Sequence, residues 1–267
     1  MLYSPLLDHA QERHDRMEKT VAKAFRVLES LARSDGPRAL GDVASDCELT
    51  KSNAHRLLQT LTELQYVRQA PESRNYEATL RVWELGTGVF GRFDIRTAAA
   101  PYLRALQEES GESVHLSIFD NGDAVYIDKL DSQEAVGAYI RVGERVPAYC
   151  TATGRAMLAY LDERTITEAG RELQRHTDLT ISKPEELTAA LDDVRRLGYA
   201  LTRGEWRRGV VGVAAPIRSQ SGTVIAGIGA AGPEERMTDD QVDRATRATL
   251  KTAEDISREL GFAPTNA

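Results

Sequence analysis

The sequence contains only two cysteines and five histidines among its 267 residues, which are too few for several classes of site. Two cysteines cannot build a disulfide framework. Cys47 and Cys150 also lie far apart in the chain, without the CxxC or Cys/His spacing of a zinc site. We therefore expect two reduced thiols, no metal and no cofactor.

Long apolar runs are also missing. No stretch of about 18 apolar residues is present, which excludes a transmembrane helix. Residues 1–19 lack the basic patch and apolar stretch of a secretory signal, and we interpret them as a short charged leader. With 41% hydrophobic and 28% charged residues, the composition is that of a globular protein of one or two domains. We expect it in the cytoplasm, with no membrane partner.

The sequence has no excess of basic residues, since its formal net charge is −7. This argues against a general nucleic-acid coat protein. The charge is unevenly distributed, because residues 1–90 contain 12 Lys and Arg against 13 Asp and Glu, and most of the negative charge lies beyond them. Any contact with DNA phosphates must therefore come from a local surface in the first third of the chain.

Three helices are predicted in that first third, over residues 20–32, 42–47 and 50–63. The third helix, which Thr50 can cap, has an apolar stripe formed by Ala54, Leu57, Leu58, Leu61 and Leu64. Its opposite face has no acidic residue before Glu63 and consists of Lys51, Ser52, Asn53, His55, Arg56, Gln59 and Thr62. A solvated helix face normally mixes both charge signs. This face therefore favours a recognition helix in the major groove of double-stranded operator DNA.

Two short strands are predicted after this helix, at residues 66–68 and 76–78, around a polar turn. A hairpin in this place is typical of the wing of a winged helix-turn-helix. Arg68 and Arg74 are its candidate contacts to phosphate or the minor groove. The alternative is a three-helix packing module with an incidental polar face, but the order of turn, polar helix and hairpin favours DNA binding.

The run LTKSNAHRLLQTLTELQYV, preceded by ALGDVAS, resembles the N-terminal domain of the IclR family of bacterial transcription regulators. The shared features are Lys51-Ser52, His55-Arg56-Leu57-Leu58 and Tyr66-Val67, whereas Asn53-Ala54 replaces a commoner Thr-Val type pair. Because a helix-turn-helix monomer contacts few base pairs, we expect at least a dimer. The resemblance implies that dimers associate into tetramers.

We predict four parts in the chain: the leader at 1–19, a winged helix-turn-helix domain at 20–82, a linker helix at 83–110 and an effector-binding domain at 111–267. Pro101 is expected to kink or restart the linker helix. The last part is predicted as an α+β domain with a mixed sheet flanked by helices. Its strands are expected at 113–119, 124–129, 138–142, 210–217 and 223–230, and its helices at 153–161, 184–197 and 239–260.

The second domain also resembles its counterpart in the IclR family, a GAF-related effector domain, at residues 125–129, 151–156 and 209–216. Thr202 and Gly212 depart from the residues that are usual at two positions lining the family's ligand pocket. The resemblance therefore implies a pocket at this place, and the two departures indicate a ligand that differs from the familiar ligands of the family.

The start of the predicted helix near Thr153 offers backbone N–H groups and the positive end of a helix dipole, which favour a carboxylate. The alternative is that a threonine there only caps the helix. Glu205 would repel a carboxylate and is expected to meet another part of the ligand. We predict a small organic acid effector, bound by Tyr139, Tyr149, Ala152, Thr153, Gly154, Thr202, Glu205, Val210 and Gly212.

Two other functions compete with the DNA-binding regulator. Gly227–Gly232 matches the GxGxxG pattern of dinucleotide-binding enzymes, but it lies largely in a predicted strand and lacks the expected acidic residue downstream. No catalytic arrangement of residues is evident either, so no enzyme is expected. The other alternative is a ligand sensor that acts through protein partners with a degenerate DNA-binding module. We favour the regulator, and repression over activation.

Overall fold

The computed structural model describes residues 19–90, 94–134, 137–138 and 140–263 of the chain. The predicted leader therefore lies, apart from Lys19, outside the described residues. By its internal contacts the chain divides into two compact units, Met1–Arg92 and Phe93–Ala267, which are described separately. None of the helices within the described ranges is long and apolar enough to cross a membrane.

The first unit is a helical module followed by a hairpin and a further helix. Its elements are α1 (Lys19–Ala32), α2 (Leu40–Asp46), α3 (Lys51–Glu63), β1 (Val67–Gln69), β2 (Tyr76–Ala78) and α4 (Leu80–Phe90). The two strands pair antiparallel, with Arg68 opposite Glu77. The Arg38 backbone pairs with Tyr76 through two hydrogen bonds of 2.8 and 2.7 Å, which tie the hairpin to the segment before α2. This order confirms the predicted winged helix-turn-helix.

The core of the first unit lies between α1, α2, α3 and the hairpin. Buried side chains from each of them meet there, namely Val27, Leu31, Val43, Cys47, Leu58, Leu61, Val67 and Tyr76. The predicted apolar stripe on α3 is confirmed for Ala54, Leu58 and Leu61, which are buried. It is wrong for Leu64, which is 52% exposed, because α3 ends at Glu63 and Gln65, at a φ of 65°, takes the chain out of the helix.

The turn between α2 and α3 places a non-glycine residue in left-handed backbone. Glu48 has a φ of 53° and is exposed. The turn is closed by a hydrogen bond of 2.8 Å from the Leu49 N–H to the Ala44 carbonyl. Left-handed backbone is costly for a residue with a Cβ atom and costs glycine almost nothing. This turn therefore carries strain at a position where the helix-turn-helix angle is set.

We expect Glu48→Gly to raise the free energy of unfolding of the first unit by about 1 kcal/mol, because glycine relieves the strain at the positive φ. Glu48→Ala is the matched control, since it removes the same charge and keeps the strained Cβ. Chemical denaturation followed by circular dichroism measures both variants. Equal stability of the two variants would show that the turn is not strained.

The second unit is an α+β domain, as predicted. Its elements are α5 (Asp94–Ser110), β3 (Ser113–Asp120), β4 (Asp123–Leu130), β5 (Arg145–Pro147), α6 (Ala152–Leu158), α7 (Glu163–Ala169), α8 (Pro184–Leu197), β6 (Ala200–Arg203), β7 (Val210–Arg218), β8 (Val224–Pro233) and α9 (Asp239–Glu259). The six strands form one sheet in the order β5-β4-β3-β8-β7-β6. Every strand pair described in it is antiparallel, rather than the predicted mixture of directions.

Helices cover both faces of this sheet. α5 and α9 pack on one face through apolar residues such as Leu103, Leu106 and Ile256, which meet Leu116 and Ile228 of the sheet. α6 and α8 belong to the core on the other face. Alternate residues of the central strands, such as Tyr126 and Ile127 of β4, therefore point to opposite cores, which is the period-two pattern of a strand buried on both faces.

Some boundaries differ from the sequence prediction. Residues 138–142 form no strand at the positions that are described, and the edge strand of the sheet is β5 instead. β6 and α7 were not predicted, because both are short and lack a clear apolar period. Pro101 lies inside α5 without ending it, so the expected restart of the linker helix at Pro101 is wrong.

Candidate nucleic-acid interface and ligand pocket

The N-terminal end of α3 is fixed by its own side chains. The Thr50 hydroxyl accepts a hydrogen bond of 3.3 Å from the Asn53 N–H, which confirms the predicted cap. The side-chain oxygen of Asn53 then accepts a hydrogen bond of 3.0 Å from Nη2 of Arg56. The cap therefore orients Asn53, and Asn53 holds the Arg56 guanidinium on the same exposed end of the helix.

The predicted polar face of α3 is presented to solvent. Lys51, Ser52, His55, Arg56 and Gln59 are exposed, and Asn53 is half-buried. Donors and acceptors at the first turns of a helix are what a recognition helix uses on base edges and phosphates. The exposed face can therefore meet DNA without any rearrangement of the core.

The two arginines of the hairpin lie on different parts of the wing. Arg68 belongs to β1, and its Nε donates a hydrogen bond of 2.7 Å to Glu77 across the strand pair. Arg74 lies in the turn at a φ of 54°, and its carbonyl accepts a hydrogen bond of 3.2 Å from the Gln69 side chain. Both arginines are exposed. A guanidinium has five N–H donors, so Arg68 can keep Glu77 on its Nε and meet a phosphate through its Nη groups.

A cavity of about 250 Å³ lies in the second unit, beside the sheet and below the segment 204–208. The segment is anchored from a neighbouring loop, because the Thr177 hydroxyl donates to the Gly204 carbonyl at 2.8 Å and the Thr180 hydroxyl to the Glu205 carbonyl at 2.6 Å. The described residues that line the cavity are His115, Tyr126, Gly137, Ala138, Ile140, Cys150, Thr151, Thr202, Glu205, Trp206, Arg207, Arg208, Val210, Gly212 and Ala231.

A buried ion pair lies at this cavity. Nη1 of Arg155 donates to Oε1 of Glu205 at 3.1 Å, and the side chains are 5% and 12% exposed. Nε of the same guanidinium donates to the Tyr149 carbonyl at 2.6 Å. Buried charges persist only when they are paired and hydrogen-bonded. Arg155 therefore balances the charge of the Glu205 carboxylate, which was expected from the sequence to repel an acidic ligand.

Several buried polar atoms around the cavity have no hydrogen-bond partner among the described residues. Three of them belong to lining residues: Nε2 of His115, Oε2 of Glu205 and Nε1 of Trp206. A fourth is Nη2 of Arg155. Buried polar groups are rarely left unpaired in native proteins, because each one costs about 1–3 kcal/mol. The cavity is therefore shaped for a polar guest that completes these bonds.

Burial keeps three ionisable groups of the cavity neutral, namely His115, Tyr126 and Cys150. It lowers the pKa of His115 to about 4, although a hydrogen bond with the Ala138 backbone acts in the opposite direction. It raises the pKa of Tyr126 to about 12, against the effect of the Thr153 and Thr151 hydroxyls. It also raises the pKa of the Cys150 thiol to about 12, so this cysteine stays protonated and is a poor nucleophile.

Comparison with known families decides what kind of protein this is. The model of the bacterial transcriptional regulator IclR C-terminal domain matches residues 87–258, and that of the IclR helix-turn-helix domain matches residues 20–71. The chain belongs to the IclR family. Its members are transcription regulators rather than enzymes, and their helix-turn-helix domain implies DNA binding. The match over both units does not favour a sensor with a degenerate DNA-binding module.

Relatives extend over almost the whole chain. The transcriptional regulator KdgR of Escherichia coli K12 is 32% identical over 247 residues, which are 91% of this chain and 93% of KdgR. The transcriptional repressor IclR of the same organism is 28% identical, over 91% of this chain and 90% of that protein. The structure of an IclR homologue from Microbacterium hydrocarbonoxydans complexed with 4-hydroxybenzoate is 24% identical. Its TM-score of 0.79, over 91% of this chain and 99% of that one, shows the same fold.

In this IclR-family regulator the GxGxxG pattern serves packing. Gly227 and Gly229 lie inside β8, and a Cβ at Gly227 would approach the Thr153 carbonyl oxygen of α6 to 2.7 Å. Gly227 thus lets α6 pack closely on the sheet, and a Cβ at Gly229 would meet the neighbouring strand at Val213 and Ala214; close backbone approach is a common reason for glycine in a strand. This explains the pattern without a dinucleotide.

The cavity brings together some of the predicted effector residues. Thr202, Glu205, Val210 and Gly212 line it. Tyr139 lies outside the described residues. Four more predicted residues are absent from the described wall of the cavity: Tyr149, Ala152, Thr153 and Gly154. The wall positions of the remaining candidates are consistent with the pocket that the resemblance implies.

The four residues outside the wall have other contacts. The Gly154 N–H donates to the Thr151 hydroxyl at 3.2 Å, so the threonine caps α6, as in the alternative considered from the sequence. The Tyr149 hydroxyl donates to the Gln174 carbonyl at 2.7 Å, and its ring stacks on His176, which in turn contacts Trp206. The cap uses one amide of the helix start, so the carboxylate site expected there stays a prediction, and Tyr149 contacts the wall residue Trp206 through His176.

Sequence reasoning missed the two polar residues that reach the cavity from the sheet, His115 and Tyr126. Their rings meet edge to face, with centroids 5.6 Å apart. The available signal was a histidine flanked by the apolar residues Val114 and Leu116 in a predicted strand. Such a residue must face either a polar neighbour or a cavity, because burial without a partner is costly.

We expect the His115 side chain to make the stability of the second unit depend on pH. Its pKa is about 4 in the folded chain and has an ordinary value of 6.5, so the unfolded chain binds more protons between these values. The stabilisation is complete above pH 6.5 and is lost as the pH falls towards 4, by roughly 3 kcal/mol in total.

Chemical denaturation at several pH values between 7 and 4 gives the free energies of unfolding of wild type and His115→Gln. The difference between them measures the contribution of His115. Asp131 and Lys129, the charged groups nearest to the ring, act on it in opposite directions and are unchanged in the variant. The gap between the two free energies of unfolding should change with pH in this window. Parallel pH curves would contradict the assignment.

Proposed function

We propose that the chain is a cytoplasmic transcriptional repressor whose affinity for double-stranded operator DNA is changed by a small organic acid bound in the cavity of the second unit. Repression is favoured because a 28% identical relative over most of the chain is named a transcriptional repressor. DNA recognition is assigned to α3 and the wing, through Lys51, Ser52, Asn53, His55, Arg56, Gln59, Arg68 and Arg74.

The observation that carries control by a ligand is the cavity with unpaired buried polar atoms beside it. His115, Glu205 and Trp206 each contribute one such atom among the described residues. A resident ligand supplies the missing partners and so binds with a favourable free energy. Thr202, Val210 and Gly212 complete the wall beside the segment 204–208.

An acidic ligand is favoured by the residues at the outer side of the cavity. Arg207 and Arg208 line it and have side chains that are 51% and 72% exposed. Arginine binds carboxylates with charge-assisted hydrogen bonds, often two at once. Each of these arginines already contacts an acid, Glu144 at 3.3 Å and Asp178 at 3.0 Å, so a ligand carboxylate would compete for or share these guanidinium groups.

Thermal unfolding with a panel of aromatic and aliphatic carboxylates tests the effector class, because a ligand of the folded chain raises its melting temperature. 4-Hydroxybenzoate, the compound in the structure of the Microbacterium homologue, belongs in the panel. Acids that raise the melting temperature are then tested in a gel shift with the region upstream of the protein's own gene. We expect at least one of them to release the DNA. A melting temperature that no acid changes would contradict this effector class.

We also propose that the chain acts as a dimer, and that dimers pair into tetramers. A single recognition helix covers one half-site, and two copies read half-sites about 34 Å apart. Light scattering at micromolar concentration should give the mass of at least two chains. A monomer mass, with DNA binding intact, would overturn the proposed assembly.

A further inference from the structure

His115 presents a hydrogen-bond acceptor to the cavity. It lies on β3, a central strand of the sheet, and is 6% exposed. Its ring bonds to the Ala138 backbone in a way that favours the protonated form, so an N–H of the ring points to that carbonyl. Nε2 has no partner among the described residues, which leaves the N–H on Nδ1. A neutral imidazole has one N–H and one lone pair, so Nε2 is the acceptor that His115, as a residue of the cavity wall, can offer to a ligand.

Glu205 supplies a second acceptor at the same cavity. Its Oε1 is bonded to Arg155 at 3.1 Å, whereas its Oε2 has no partner within the described ranges. An ionised carboxylate oxygen only accepts hydrogen bonds. Because Arg155 already balances the charge of Glu205, a neutral hydrogen-bond donor suffices for Oε2 and a second cation is not needed.

A ligand carboxylate cannot satisfy these two atoms. When ionised it has lone pairs only, so it would face the lone pairs of His115 and Glu205 without a proton between them. A hydroxyl group can donate its proton to one of them, and its oxygen can accept from Nε1 of Trp206, the unpaired donor of the same wall. The arginines lie at the more exposed side, so the two ends of the ligand differ in chemistry.

We propose that the effector is a hydroxy acid whose hydroxyl group donates to Nε2 of His115, while its carboxylate lies towards Arg207 and Arg208. The proposal rests on the proposed function, because it specifies the ligand of that same cavity. It makes His115 a specificity-determining residue that distinguishes a hydroxylated acid from its unsubstituted analogue.

The size of the cavity limits the body of this ligand. An apolar cavity of about 150 Å³ holds benzene, so about 250 Å³ admits one ring, or a short chain, with one or two polar substituents. Ile140, Val210 and Ala231 provide apolar wall for such a body. Monohydroxylated benzoates and short hydroxy acids are therefore the probes that match it.

Calorimetric titration of the full chain with matched pairs tests the proposal. The probes are benzoate against 2-, 3- and 4-hydroxybenzoate, and butyrate against 3-hydroxybutyrate. In wild type we expect at least one hydroxylated acid to bind on the order of tenfold more tightly than its analogue, the effect of one buried hydrogen bond. His115→Phe should abolish this preference, and His115→Gln, which keeps an acceptor at similar reach, should retain part of it.

The outcomes distinguish the hydroxy-acid inference from the broader proposal of an organic acid effector. Equal or tighter binding of the unsubstituted acids by wild type would overturn the hydroxy-acid inference and leave an organic acid effector in place. This comparison needs no variant, so it stands even where His115→Phe does not fold. A preference that persists unchanged in a folded His115→Phe would remove the role of His115. Binding of no acid at all would overturn the effector class itself.

Discussion

Replacing Arg56 with alanine is expected to weaken operator binding by about 10- to 100-fold, because one lost contact to a base edge costs about 1–3 kcal/mol. Lys51→Ala should also weaken it, and if Lys51 contacts a phosphate the loss should be similar on all DNA sequences. Both side chains are exposed at the N-terminal end of α3. A gel shift on the region upstream of the protein's own gene, at fixed salt, measures both effects.

The control for this experiment is Arg164→Ala, which removes the same charge from an exposed helix of the second unit. Among the contacts described, Arg164 pairs only with Glu168 of its own helix. It should leave operator affinity unchanged. Circular dichroism should show that all three variants are folded, since neither Lys51 nor Arg56 belongs to the core. Unchanged affinity in both α3 variants would contradict the assignment of the recognition helix.

Asn53 connects this prediction to the helix cap. Its side chain accepts from Arg56 at 3.0 Å, and its own N–H is capped by Thr50. The network holds the guanidinium in place before DNA arrives, which lowers the entropy cost of ordering it on binding. Asn53 also departs from the pair that the resemblance makes commoner at this place, so we expect it to contribute to the operator preference.

The recognition helix could be predicted from sequence because all of its determinants are local. The spacing of Ala54, Leu58 and Leu61 defines the buried face, and Thr50 defines the start. The prediction that Leu64 is buried was wrong because periodicity extends an apolar stripe past Glu63, the last residue of the helix. Local patterns therefore give the type of an element more reliably than its last turn.

The cavity was only partly predictable, because its wall is assembled from segments far apart in the chain. Thr202, Glu205, Val210 and Gly212 could be identified by resemblance, but the acceptor of His115 depends on which face of β3 meets the cavity. Arg155 lies 50 positions from Glu205 in the sequence, and no spacing rule links them. The carboxylate site expected at the helix start near Thr153 stays a prediction, and only the fold shows that the Gly154 amide there is bonded to the Thr151 hydroxyl.

Replacing Arg155 with methionine is expected to destabilise the second unit by about 3–5 kcal/mol and to lower its melting temperature by roughly 10 °C. The variant leaves the buried Glu205 carboxylate without its cation, and it also removes the bond from Nε to the Tyr149 carbonyl. An uncompensated buried charge is among the most costly local changes in a protein. Thermal unfolding monitored by circular dichroism measures the loss.

The matched comparison is the double variant Arg155→Met with Glu205→Gln, which removes both charges. We expect it to recover part of the stability lost in Arg155→Met, because the cost comes mainly from the unpaired carboxylate rather than from the missing attraction. Lys183→Met is a control for the loss of a surface cation, since Lys183 and its partner Glu186 are both exposed, and such a pair contributes little. If the double variant were less stable than the single one by a full additive increment, Arg155 and Glu205 would act independently. The unpaired carboxylate would then not be the main source of the loss in Arg155→Met.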